Sequence, residues 1–214
     1  MSAYTTDALI LRTYELGESD RLVVFLTRDR GKKRGVAKNA RMSRRRFGGG
    51  LEPMTVGRVG YVERERRALV RLDYVEVIRS PLLAGNADAL GHAGYFAELI
   101  DEWAPEADPN ETLFRLGASV VDALAARIPV DPLARYFEYW LLRLQGVYQL
   151  DPRASAAARA FLDAARTCSP LALVDLAVSG KTLREIEASH RALIAMHLEK
   201  DLKSAKVLRE MRRA

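Results

Sequence analysis

The chain has 214 residues, 49% of them hydrophobic and 29% charged, with a formal net charge of +6. That composition fits one large or two small folded domains with a real core and excludes a disordered polar chain. One cysteine, Cys168, excludes a disulfide framework and a cysteine zinc site. No apolar run nears the ~20 residues of a membrane span, and the first residues lack the basic start and unbroken apolar block of a signal peptide, so a cytoplasmic protein is expected.

The first 80 residues read as β structure. ALILRTYEL from Ala8 and RLVVFLT from Arg21 are rich in strand formers, and KRGVAKNA from Lys33 is a third candidate. After Gly48–Gly50, VGRVGYVERE and ALVRLDYVEVI alternate at period two. In the latter, Val70, Leu72, Tyr74, Glu76 and Ile78 make the mostly apolar face. Breakers at 17–20, 29–31 and 48–53, and a charged turn at 63–67, separate the runs. Five short strands predict a small closed barrel.

Charge is concentrated inside that barrel. Between Arg28 and Arg46 ten Lys or Arg stand against one acid, Asp29; the rest of the chain holds 24 basic and 27 acidic residues. A single-sign cluster repels itself, and an anionic partner relieves the repulsion; phosphate backbone is the commonest such partner. A five-stranded barrel with a basic, glycine-containing loop suits single-stranded nucleic acid, with Lys and Arg for phosphates and rings for bases. The candidate contacts are Lys32, Lys33, Arg34, Lys38, Arg41, Arg44, Arg45 and Arg46, with Phe47 as a stacking ring. Tyr14, Phe25, Tyr61 and Tyr74 fall mostly at core positions. The three glycines allow a sharp re-entry into the next strand, and the Lys-Ser/Thr of a P-loop is missing. The loop is expected to be mobile.

From residue 81 helical grammar takes over. Ser or Asp precedes Pro at Pro81, Pro109, Pro132, Pro152 and Pro170, a helix-start pattern. Helices are predicted over 86–104, 110–128, 132–148, 153–167 and 170–178. One long helix is predicted over 183–211, opened by a capping box from Thr182 to Glu185. Residues 1–80 hold 18 basic and 10 acidic residues, and residues 81–214 hold 16 and 18. The fold class expected is therefore α+β, a barrel over 1–80 followed by an all-helical domain over 81–214.

The pieces GESD, TRDRGK, VAKNAR, SRRRFGGGLEP, YFAELIDE, RYFEYWLLRLQGVY and LKSAKVL closely resemble the RecO family of bacterial recombination mediators, from about residue 4 to the C-terminus. The resemblance implies an OB-fold barrel and a helical C-terminal domain. It implies binding of single- and double-stranded DNA, annealing of complementary strands, and loading of RecA together with RecR, in the cytoplasm at the nucleoid. It also implies recognition of the acidic tail of single-strand-binding protein by the helical domain; participation of RecF stays open. Two departures stand out. Many relatives hold a zinc with four cysteines in the helical domain, and the corresponding stretch here has only Cys168, read as a small core residue. Asn39 stands where relatives commonly have Gly, and Asn tolerates a left-handed backbone next best.

An acidic tail ending in hydrophobic residues and a carboxylate needs an apolar pocket with a cation at its rim. By resemblance Arg135 and Lys203 are the cations, with Trp140 and Leu142 as nearby apolar candidates that helix spacing equally assigns to the core. For Arg135 the competing reading is an ion pair with Glu138 or Asp131. Lys200, Lys203, Lys206, Arg209, Arg212 and Arg213 form a cationic run that reads either as a second DNA stripe or as complement to a helix C-terminus. His190 and His197 are too far apart for a metal chelate, and no cofactor or metal is expected. No nucleophile elbow, zinc-protease motif or triad is present, so the chain reads as a non-enzyme. An RNA-binding OB module and a scaffold docking an acidic protein remain the alternatives.

Overall fold

The computed structural model describes residues 1–65, 67–85, 87–200 and 202–211. Strands β1 (Ser2–Leu16), β2 (Asp20–Thr27), β3 (Gly31–Ala37), β4 (Val56–Glu63) and β5 (Val70–Arg79) close into a barrel of order β1-β2-β3-β5-β4. All pairings are antiparallel except β3 with β5, which closes the barrel through Gly35–Ala37 against Val70–Leu72. That order, with one parallel closure, is the small closed barrel read from the strand pattern and the OB barrel that the family resemblance implies.

The apolar runs explain how the barrel meets the helices. Ala8, Leu9, Ile10 and Leu11 are all buried, although a strand alternates its faces. Ala8 and Ile10 fill the barrel with Val23, Phe25, Val59 and Tyr61, whereas Leu9, Leu11, Val24 and Leu26 point outward into a core shared with the helices. An unbroken apolar run marks a strand covered on both sides. Alternation fails in β5 for a different reason. Gly60 pairs with Tyr74 and Tyr61 with Leu72, so Asp73 is an extra residue. This bulge moves the buried set from Val70 and Leu72 to Val75, leaving Glu76 and Ile78 exposed.

Helices α2 (Ala87–Trp103), α3 (Glu111–Ala125), α4 (Val130–Leu144), α5 (Ala156–Thr167), α6 (Gly180–Leu198) and α7 (Lys203–Met211) follow a four-residue helix, α1 (Arg44–Phe47), set between β3 and β4. Their caps differ from the sequence reading. Asn110, Ser155 and Ser179 accept N–H bonds from Leu113, Ala158 and Thr182, so Asp108, Asp151 and Thr182 are not the capping residues. Glu185 instead accepts the N–H of Ser155. Asp131 lies in the first turn of α4, and 170–178 holds a 3-10 turn, Pro170–Asp175.

The single helix predicted over 183–211 is broken. Glu199 takes φ +52° and ends α6, and α7 restarts at Lys203. Glu98 of α2 makes the restart favourable. Its carboxylate accepts the backbone N–H groups of Lys203 (3.2 Å) and Ser204 (2.7 Å) and the Ser204 hydroxyl. Acid placed at a helix start satisfies free donors and suits the helix dipole.

Barrel and helices join closely. Gly117 of α3 is so near β1 that a Cβ there would lie 2.6 Å from Leu9. Gly31, at φ +69°, meets the backbone of Asp108, where a Cβ would lie 2.3 Å away. No described helix is long and apolar enough to cross a membrane.

Candidate nucleic-acid interface and partner groove

The basic segment divides into two halves with different fates. Its first half meets carboxylates, from the helical part for Arg28, Lys32 and Arg34 and from β4 for Lys33. Lys32 is only 7% exposed and bonds the carboxylate of Asp101 at 3.1 Å as well as its carbonyl. Lys33 pairs with Glu63 at 2.8 Å, Arg34 with Glu106 at 2.8 Å and Arg28 with Glu111 at 2.7 Å. Lys32 is therefore corrected from DNA contact to buried anchor of the helical part. Lys33 and Arg34 reach a phosphate only by giving up a carboxylate.

Most of the second half is free of such partners. Lys38, Arg44 and Arg45 are exposed, and no ion pair within 4.0 Å holds any of them among the described residues. Arg41 donates to the Glu18 carbonyl and lies 3.8 Å from Glu15. Arg46 donates to the Ser43 hydroxyl at 2.9 Å and to the Lys38 carbonyl at 2.6 Å, neutral partners that leave its charge uncompensated. That second bond ties α1 to the end of β3.

Phe47 is also corrected. It is 2% exposed and sits in the barrel core with Ile10, Phe25 and Val75, so it cannot stack on a base. The segment expected as a mobile loop is a turn of helix anchored by this ring, with Arg44 and Arg45 left outside. The glycines make the turn. A Cβ on Gly48 would lie 2.5 Å from the Arg44 carbonyl oxygen, one on Gly50 2.9 Å from Val75, and Gly49 has φ +74°. Asn39 has the left-handed φ of +53° expected for it, with its N–H on the Asp20 carboxylate.

Sequence reasoning missed the other wall of this surface. A groove of 490 Å³ runs beside the β3–β5 closure, lined by Lys38, Val36 and Leu69 and by Arg64, Arg67 and Arg71 of β5 and the β4–β5 connection. Arg71 is held by Asp73 at 2.8 Å, while Arg64 and Arg67 have no ion pair among the described residues. The signal was present as the ERERR turn, read only as a strand breaker. Of the barrel rings, Phe25 and Tyr61 are core, Tyr14 is 46% exposed and Tyr74 is half-buried.

A second site lies in the helical part. A cavity of 390 Å³ opens between α2, α4, α6 and α7, lined by Ile194, Ala195, Leu202 and Leu208 and flanked by Arg191, Lys200 and Arg209. Arg135 lies at its floor, 4% exposed. Its Nη2 donates to Glu138 at 2.9 Å and its Nη1 is 3.4 Å from Glu187, while its Nε has no hydrogen-bond partner. The Glu138 carboxylate also meets the Tyr95 hydroxyl (2.8 Å) and His190 Nδ1 (3.1 Å). Burial raises the pKa of Glu138, but the charge of Arg135 and the His190 contact outweigh it and hold the group below its ordinary range. Burial, followed by the adjacent Glu138, pushes the Tyr95 phenol well up.

The other apolar candidates are elsewhere. Leu142 is fully buried core, and Trp140 packs on Tyr139 and donates its indole N–H to the Ala165 carbonyl. Lys203 starts α7 beside the cavity without lining it. The run from Lys200 to Arg209 is no single stripe, because the break separates Lys200, which pairs with Glu102, from α7. Arg212 and Arg213 lie outside the described residues. Cys168 is half-buried at the end of α5. Among the described residues no group of three or more His, Cys, Asp or Glu is placed to hold a metal.

Comparison with known proteins fits this architecture. The family model described as "Recombination protein O N terminal" matches residues 1–81, and that described as "Recombination protein O C terminal" matches residues 85–151. Relatives named DNA repair protein RecO include those of Koribacter versatilis (strain Ellin345), 47% identical over 145 residues, and Anaeromyxobacter sp. (strain K), 43% over 152. A third, from Geobacter sulfurreducens, is 40% identical over 154 residues. These matches cover 66%, 71% and 71% of this chain and 58%, 59% and 61% of the relatives. The chain thus spans about three-fifths of the length of the curated relatives it matches. With both family models in order along the OB barrel and the first helices after it, the chain belongs to the recombination protein O family, proteins of DNA repair and recombination.

Proposed function

We propose that this chain is a DNA-binding recombination mediator, with a barrel module over 1–80 and a helical module over 81–214. It binds single- and double-stranded DNA, anneals complementary strands and helps load recombinase with RecR. One observation carries the reading. Lys38, Arg44 and Arg45 are exposed without carboxylate partners, beside a groove edged by Arg64 and Arg67. Cations held this way lose no internal bond on meeting phosphate, and they release counterions when they do.

Annealing follows from the same arrangement. Neutralising two phosphate backbones lowers their repulsion, and contacts to phosphate leave base edges free to pair. The test is fluorescence anisotropy with a single-stranded oligonucleotide across a salt series, comparing the native chain with an Arg44→Ala/Arg45→Ala variant. The variant should bind about tenfold more weakly, with a log–log salt slope shallower by about 1.4. Unchanged affinity and slope would remove the surface from consideration. Competition with RNA of the same sequence separates the RNA-binding alternative. A polyglutamate peptide that binds where oligonucleotides do not would favour the acidic-protein scaffold.

The cavity over Arg135 suits the second role, capture of the acidic tail of single-strand-binding protein. Its apolar wall fits a hydrophobic chain end, and Arg135, Arg191 and Arg209 offer donors to a terminal carboxylate. Leu202 and Leu208 replace Trp140 and Leu142 as the apolar contacts. Amidating the carboxylate of such a peptide should weaken its binding.

A further inference from the structure

A third concave site lies further along α4 than the Arg135 cavity, toward the C-terminal end of the helix. It measures 260 Å³ and is walled by the end of α4, the connection after it, and α5. Three guanidinium groups line it, Arg143, Arg159 and Arg166, against one carboxylate, Asp163. None of the three makes an ion pair within 4.0 Å among the described residues, Asp163 included.

Two of the three are nevertheless fixed in place, by neutral groups. Arg143 donates to the Tyr139 hydroxyl at 3.1 Å, and its guanidinium lies 5.5 Å from the Tyr139 ring and 5.9 Å from the Trp140 ring. Arg159 donates to the carbonyls of Ala154 (3.1 Å) and Pro152 (2.8 Å). Arg166 is exposed, and its side chain carries no hydrogen bond among the described residues. Tyr148 closes the site, packed edge-on against Tyr139 at 4.8 Å. Such bonds set geometry without neutralising charge, so the site keeps a net positive field and pre-placed forks.

This chemistry differs from that of the Arg135 cavity. There the arginine is already bonded to Glu138 and faces an apolar wall. Here the guanidinium groups have no ion-pair partner among the described residues, and the walls are Tyr139 and Tyr148 with Leu150 and Leu162; three forks beside two rings suit a phosphodiester with its sugar. No lining residue comes from the barrel. We infer that the α4–α5 cleft is a second phosphate-backbone site, which holds one nucleic-acid strand while the barrel surface holds another. The inference rests on the DNA-binding reading above, and it gives annealing its second strand.

Arg166→Glu is the decisive substitution, because the Arg166 side chain is exposed and bonds no other group among the described residues; circular dichroism checks that the variant, with an acid in the last turn of α5, is folded. Arg143→Ala is the second variant. Both are measured in the native background and in the Arg44→Ala/Arg45→Ala background, with a fluorescent 30-mer and with the annealing rate of two complementary 30-mers. The barrel variant alone should retain weak binding. Adding Arg166→Glu should lower that residue of binding a further threefold or more, with a salt slope shallower by about 0.7 per lost contact. In the native background Arg166→Glu should slow annealing severalfold while first-strand affinity changes by less than twofold.

If Arg166→Glu and Arg143→Ala leave annealing and residual binding unchanged in folded protein, the cleft is not a strand site. Failure of the barrel reading is separately visible, as an Arg44→Ala/Arg45→Ala variant with native affinity. An acidic peptide that competes at the cleft where oligonucleotides do not would also overturn the inference.

Discussion

The two halves of the basic segment are both rich in Lys and Arg and have opposite surroundings. Lys32, Lys33 and Arg34 lie on β3, and each meets a carboxylate, from α2, β4 and the α2–α3 connection in turn. Lys38, Arg44 and Arg45 lie a few residues on, past the edge of the helices, and meet none. Charge density along a sequence therefore says little about which cations are available; the acids that fold back over them decide. Here Asp101 and Glu106 come from beyond the barrel, about 70 residues further along the chain.

The largest effect that would break this comparison is on stability. Lys32→Met should cost roughly 2–3 kcal/mol in urea denaturation. That is below the range for a fully orphaned buried charge, since Arg12 still holds Asp101 at 2.6 Å. DNA affinity of the folded variant should barely move; a large loss of affinity with unchanged stability would return Lys32 to the binding surface.

Glu98→Gln comes next, at about 1–2 kcal/mol, for lost bonds to the start of α7. Burial raises the Glu98 pKa, but the Ser204 and Lys203 bonds and the charge of Arg12 prevail and hold it low. Its stabilising contribution is therefore complete above the unfolded carboxylate value of about 4.3 and disappears as pH falls through the lower folded value. The stability of the variant should fall less steeply below pH 5, and an identical acid slope would refute the assignment.

The reverse pattern is expected of the free half. Arg44→Ala/Arg45→Ala should keep native stability within ~0.5 kcal/mol while binding weakens about tenfold. Smallest of all is Arg34→Ala, whose exposed pair with Glu106 is screened. Its melting temperature should match that of the native chain at 0.5 M salt.

Much of the fold was legible because it rests on local pattern. Five strands stand where runs of strand formers and breakers put them, although the unbroken ALIL and LVVFL runs were not read as strands covered on both sides. What escaped depends on distant partners. The β5 bulge shifts alternation through pairing with Gly60. The break between α6 and α7 depends on Glu98, about a hundred residues earlier. Phe47 looked like a stacking ring because it follows three arginines, but a four-residue helix turns it inward. The candidate site was legible as a charge cluster and not as a surface: Arg64 and Arg67 join it only when the β4–β5 connection is brought beside the end of β3.

The inward turn of Phe47 has a consequence for what such a protein can distinguish. With the ring sealing the barrel, α1 presents arginines and no aromatic platform. On the DNA-binding reading proposed above, a strand held there by its phosphates is gripped by a feature every nucleotide shares, and the surface is then indifferent to the letters it carries. Text that is held without being read stays open to any complementary copy that arrives.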